Sequence, residues 1–111
     1  MSIFEKIIRR EIPAKIVFED DDVLAFHDVN PQAPVHVLIV PKRTIARLAD
    51  AKDSDEALLG KLILAARKVA EKLGLTSGYR VVINNGPDAG ESVPHLHVHV
   101  LGKRALAWPP G

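Results

Sequence analysis

Residues 95–101 read His-Leu-His-Val-His-Val-Leu, a strict alternation of imidazole and aliphatic side chains. A period of two is that of a half-buried β-strand, whose successive side chains point to opposite faces of a sheet. Leu96, Val98 and Val100 are therefore expected in a core, with His95, His97 and His99 aligned on the other face. One histidine would serve any structural hydrogen bond. Three in a row form a set of groups that titrate near neutrality and can act as nucleophile, acid, base or ligand. The segment calls for a sheet and puts chemistry on one side of it.

The remaining elements follow from punctuation and periodicity. Ser2 and Glu5 form a capping-box pattern ahead of Ile3, Phe4, Ile7 and Ile8, a short helix ended by Pro13. Strands are expected near Ile16–Glu19 and Val23–His27, joined by Asp20-Asp21-Asp22, and then at Val35–Val40, stopped by Pro41. Ser54 or Asp55 is placed to cap a long helix with Leu58, Leu62, Ala65, Ala66, Val69 and Leu73 on one face and Gly74 as its stop. Tyr79–Asn84 reads as a fourth strand, hairpin-linked to the histidine strand through Asn85–Pro94. Five strands, one short and one long helix make an α+β domain with a mostly antiparallel sheet, and residues 1–111 are expected to be one domain.

Composition narrows the function. Fifteen basic against 14 acidic residues give a net charge of +1, so no polyanion-binding face is expected and nucleic acid is not an expected partner. The absence of cysteine excludes disulfides and thiolate metal sites. No segment reaches the roughly 20 apolar residues of a membrane span, so a membrane is not an expected partner and a cytoplasmic location is the expectation.

Two chemistries suit the histidine row. Along a strand, same-face neighbours stand about 6.6 Å apart and the outer pair about 13 Å. Adjacent histidines could share a zinc ion, whereas all three could not, and a further ligand would come from His36, His27 or a carboxylate. The alternative is covalent phosphoryl transfer, in which a neutral imidazole attacks phosphorus while its neighbours stabilise charge or protonate a leaving group. The preceding loop favours the second. Gly86 and Gly90 would let backbone N–H groups approach an anion, and Asn84 and Ser92 would add neutral donors.

The segment His95–Leu101 fits the histidine triad signature, and the chain resembles the Hint branch of that superfamily, the histidine triad nucleotide-binding proteins. The likeness extends over Ile3-Phe4 with Lys6-Ile7-Ile8-Arg9, Glu11-Ile12-Pro13-Ala14-Lys15, Ala25-Phe26-His27-Asp28, Pro31–His36, His99–Gly102 and Trp108-Pro109-Pro110-Gly111. The resemblance implies a homodimer with its sheet extended across the interface. It implies hydrolysis of purine nucleoside phosphoramidates to AMP or GMP, needing no metal or other cofactor. By the same resemblance His97 would attack the α-phosphorus, giving a nucleotidyl-histidine that water cleaves. His95 and His99 would orient groups and bind phosphate, and His36 would lie near the leaving group. Asp28 would hold the ribose hydroxyls, with His27 and Val29 beside it and Phe26 near the base. Asn84, Gly90, Glu91, Ser92 and Val98 would contact the phosphate end, Ser92 reaching the departing atom, while Trp108 would complete a neighbouring site. Glu91 stands where such proteins commonly carry glutamine, and Pro94 replaces a frequent aromatic. Fhit-like dinucleoside polyphosphate hydrolases share the triad but typically have Pro-Arg where this chain has Gly102-Lys103. A nucleotide-binding scaffold acting through protein contacts is the remaining alternative.

Overall fold

The computed structural model describes residues 1–111. At its start Ser2 and Glu5 close a reciprocal capping box: the Glu5 amide donates to Ser2 Oγ (3.1 Å) and the Ser2 amide to Glu5 Oε1 (2.9 Å). The helix it opens, α1 (Ile3–Ile8), buries Phe4 and Ile7. It ends well before Pro13, because Arg10 takes a left-handed conformation (φ 62°) that breaks the helical path.

Five strands follow: β1 (Ile16–Glu19), β2 (Val23–His27), β3 (Val35–Pro41), β4 (Tyr79–Val82) and β5 (Val98–Gly102). They form one antiparallel sheet in the order β1-β2-β3-β5-β4. This is the expected α+β architecture. β4 and β5 are antiparallel neighbours, as a hairpin would be, but residues 83–97 between them make a long loop. A long loop can carry a site, and this one does.

Between β3 and β4 runs the long helix α2 (Glu56–Lys72), with Leu62, Ala65, Ala66, Val69 and Ala70 buried. Its stripe packs on one sheet face against Val23, Ala25, Val37, Ile39, Val98 and Val100. On the opposite face Phe4 and Ile7 of α1 cover Leu24, Phe26, Leu38 and Val40. Covering on both faces explains why β2 and β3 read as nearly unbroken apolar runs. Asp55 precedes α2 but does not cap it with its side chain. Its carboxylate instead accepts from the Lys52 amide (2.9 Å) and pairs with Arg43. No helix is long and apolar enough to cross a membrane.

Candidate active site

The histidine segment enters the sheet later than its alternation predicts. β5 begins at Val98, so only His99 sits in the ladder, opposite Leu38 of β3 and Val82 of β4. His95 and His97 lie in the irregular approach, directly after Pro94, and both are buried. The inward half of the pattern holds: Leu96, Val98 and Val100 are in the α2-side core. The outward half is covered by α1, whose Phe4 ring meets His97 edge-on at 5.0 Å between centroids and His95 at 6.0 Å. The three imidazoles are consequently not equivalent.

His95 is fully buried and both of its nitrogens are engaged. Nε2 donates to the Pro41 carbonyl (3.0 Å), which can only accept, so Nδ1 (3.3 Å from Ser2 Oγ) must accept from that hydroxyl. With no free nitrogen and no exposure His95 cannot bind phosphate. It ties the start of α1 to the end of β3 and fixes its own carbonyl. That carbonyl accepts from His97 Nδ1 at 2.7 Å. The proton of a neutral His97 is thereby held on Nδ1, and Nε2 keeps its lone pair with no hydrogen-bond partner.

A second chain fixes the other imidazoles. The Gln32 amide can only donate, and it donates to His36 Nδ1 at 3.0 Å. His36 therefore carries its proton on Nε2 and donates to His99 Nδ1 at 2.9 Å. The His99 proton is left on Nε2, the one buried side-chain polar atom without a partner. Burial pushes the His99 imidazolium down to about 4, aided by the nearby His97 and His36 and opposed by Asp28. His36 is also held low, by burial, against the opposing pull of Asp28. Both rings are neutral at pH 7. The His97 and His99 ring centroids stand 5.0 Å apart, one ring with an unshared lone pair and the other with an unused N–H donor.

At the end of β2, Asp28 places Oδ2 3.5 Å from His36 Nε2, while its Oδ1 accepts from the Asn30 amide (2.9 Å). Asp28 and His36 line a cleft of about 720 Å³ with Lys15, His27, Val29 and Pro34. Val29 is 96% exposed at its rim. Phe26 does not line this cleft, because it is buried beneath α1, edge-on to Phe4 at 5.6 Å. The Val98 side chain points into the α2-side core and cannot touch a ligand beside the triad. Trp108 is 80% exposed and does not line the cleft beside Asp28 and His36. Lys15 and Gln32 are site residues that composition and spacing do not single out: Lys15 reaches the cleft through packing, and the Gln32 amide reaches His36 within the loop just before β3.

The glycine loop is built differently from expectation. Gly86 and Gly90 do take positive φ (86° and 82°), where a side chain would be strained. Yet the loop spends the amides of both glycines on itself: Gly86 donates to Glu91 Oε1, Gly90 to the Pro87 carbonyl and Glu91 to the Gly86 carbonyl, each at 3.1 Å. The glycines set the path, and the donors left for an anion include the side chains of Asn84 and Ser92 and the Ser92 and Val93 amides, none of which has a hydrogen-bond partner. Glu91 faces Arg47, a residue 44 positions earlier that sequence reading did not connect to it.

The metal geometry also differs from a zinc ion shared along the row. The residues that could hold a cation are Asp28, His36 and His99, whose ligand atoms lie within 4.8 Å of one another. His36 and His99 are already hydrogen-bonded, so a metal would have to displace the proton between them.

A model of the HIT domain matches residues 9–106, a span holding all five strands, α2 and the three histidines. The chain belongs to the HIT family. A 14 kDa zinc-binding protein of Zea mays is 53% identical over 112 residues, covering 99% of this chain and 88% of the relative. A HIT family hydrolase from Legionella pneumophila superposes with a TM-score of 0.97 at 47% identity, covering 100% of both chains. A histidine triad nucleotide-binding protein from Candida albicans gives a TM-score of 0.86 at 33% identity, covering 98% of this chain and 83% of that one. This HIT protein accordingly shares its fold with a HIT family hydrolase and a histidine triad nucleotide-binding protein.

Proposed function

We propose that this HIT protein hydrolyses the P–N bond of purine nucleoside phosphoramidates, of the adenosine 5′-monophosphoramidate type, and the P–O bond of aminoacyl adenylates, through a nucleotidyl-His97 intermediate. The observation that carries the reading is the 2.7 Å bond from His97 Nδ1 to the His95 carbonyl. It fixes one tautomer with Nε2 free, which is what an imidazole nucleophile requires, and adds no charge.

In the first half-reaction His97 Nε2 forms a bond to the α-phosphorus and the P–N bond breaks. The departing nitrogen takes one proton from solvent and leaves as the amine, contacted by the Ser92 hydroxyl on this reading. His99 Nε2–H donates to a phosphoryl oxygen, giving its orphaned proton a partner as negative charge accumulates. In the second half-reaction water adds its oxygen to phosphorus, the P–His97 bond breaks, and AMP or GMP forms as a proton returns to solvent. Asp28 accepts from the ribose hydroxyls, and the cleft beside Lys15, His27 and Val29 takes the remainder of the nucleoside. His36 and His95 are positioning residues on this reading, and no metal or other cofactor takes part. The active species is a homodimer in which Trp108 of each subunit reaches the other's site.

The test is hydrolysis of adenosine 5′-phosphoramidate beside diadenosine polyphosphates. Expected are AMP from the phosphoramidate, much slower release from the polyphosphates, and loss of about 10⁴-fold or more in kcat for His97→Ala with its circular dichroism unchanged. Undiminished turnover by that variant would sink the nucleophile assignment. Faster polyphosphate cleavage would move the protein to the other hydrolase branch.

A further inference from the structure

Glu91 poses an electrostatic problem for any anion bound at His97. Its carboxylate is only 12% exposed on the loop that feeds the triad. Arg47 and the Gly86 amide hold its carboxyl below the ordinary range, against the opposing effect of burial. An uncompensated charge there would repel a phosphoryl group. Arg47 answers it with a two-pronged contact: Nε donates to Oε1 and Nη2 to Oε2, both at 3.0 Å. This paired geometry is the strongest that a guanidinium and a carboxylate adopt.

The pair also closes a frame. Glu91 Oε1 takes the Gly86 amide, and Arg47 reaches Asp50 at 3.2 Å. The segment carrying Arg47 is stitched to the loop twice more, by the Ala49 amide on Asn85 Oδ1 (2.8 Å) and the Leu96 amide on the Ile45 carbonyl (2.7 Å). All of these bonds but the one to Asp50 end on the stretch between Asn84 and His97.

We propose that Arg47 is a positioning residue that neutralises Glu91 in place, so that the phosphate end of the site accepts an anion despite the carboxylate in its loop. This rests on the reading of the triad as a nucleotide site and goes beyond it, since it assigns the tolerance for phosphate to a residue outside the triad. Were Arg47 only a brace, removing the Glu91 charge as well could not repair its loss. Glutamine at position 91 would still accept the Gly86 amide, so the ring of the loop survives that change while the charge does not.

Titration calorimetry with AMP and with adenosine separates these roles. Arg47→Met should weaken AMP roughly tenfold, about 1.4 kcal/mol, while leaving adenosine, which has no phosphate, within about twofold. The deficit should shrink at high ionic strength. Adding Glu91→Gln to Arg47→Met should restore AMP affinity, and Glu91→Gln alone, which frees the Arg47 cation, should tighten it. Thermal melts confirm folding, and the Glu91→Gln arm stands even if Arg47→Met does not fold. Unchanged AMP binding in Arg47→Met, a double variant as weak as the single, or Glu91→Gln that weakens AMP would each overturn the inference alone. A wild-type protein that binds neither ligand would overturn the nucleotide reading and the inference together.

Discussion

At His99 a neutral imidazole is maintained by its surroundings: burial, the two neighbouring histidines, and a Nδ1 already committed to accepting from His36. That neutrality has a measurable consequence. In the unfolded chain His99 takes up a proton near pH 6.5, but in the folded protein only near 4. Between those values the unfolded state binds more protons, so acidification favours unfolding. The stability contributed by a neutral His99 is complete above about 6.5 and is lost as the pH falls toward 4, and His36 adds to it with the same sign. The carboxyls held low by their partners, Glu5, Glu19, Asp20, Asp55 and Glu91, have ordinary values of 4.5 or 3.8, and their contribution fades below those values. Urea midpoints at pH 7 and pH 5 therefore read the histidines. The wild type should lose stability between the two, and His99→Gln should lose less. Equal losses in both proteins would refute the assignment.

The element with the largest effect on the site for its length is α1. Six residues are too few to hold a helix in water, so α1 depends on its cap and on Phe4 and Ile7. Ser2 serves both needs, because its Oγ accepts from Glu5 while its hydroxyl proton goes to His95. Ser2→Ala should cost about 1–2 kcal/mol of unfolding free energy, and Ser2→Thr should recover most of it. A denaturation midpoint unmoved by Ser2→Ala would show that His95 is held by Pro41 alone. The same element shows where sequence reading reached and where it stopped. The capping box, the inward alternation of Leu96, Val98 and Val100, and the stripe of α2 are local patterns and were legible. That α1 folds over His95 and His97, and that β5 starts only at Val98, depends on tertiary packing that no period encodes. Of the two expected caps, Ser54 or Asp55, Asp55 takes the N-cap position of α2 without capping it, because Arg43 and the Lys52 amide compete for that carboxylate. The pairing of Arg47 with Glu91 spans 44 positions and involves two ordinary surface-type residues. Nothing local announces it.

For the whole molecule the two sheet edges differ. The β1 edge is guarded by charge, with Glu19 paired to Arg10 and to Lys42 (2.8 Å). Such ionic dressing discourages pairing with another strand. The β4 edge has no equivalent. Tyr79 and Val81 are 42% and 40% exposed along it. Arg80 on the same strand holds the chain's last turn through the Ala107 carbonyl (2.7 Å), just before the uncovered Trp108. An open apolar edge beside an unburied tryptophan is the surface that a second copy would cover, and the proposed homodimer is expected to join there. Sedimentation should give twice the chain mass for the wild type. Val81→Lys, which places a charge on that edge without entering the core, should give a folded monomer. Removing residues 108–111 should leave the dimer and its melting temperature nearly unchanged, yet alter the ranking of phosphoramidate leaving groups. A dimer that persists in Val81→Lys would place the interface elsewhere, and an unaltered ranking after truncation would remove Trp108 from the neighbouring site.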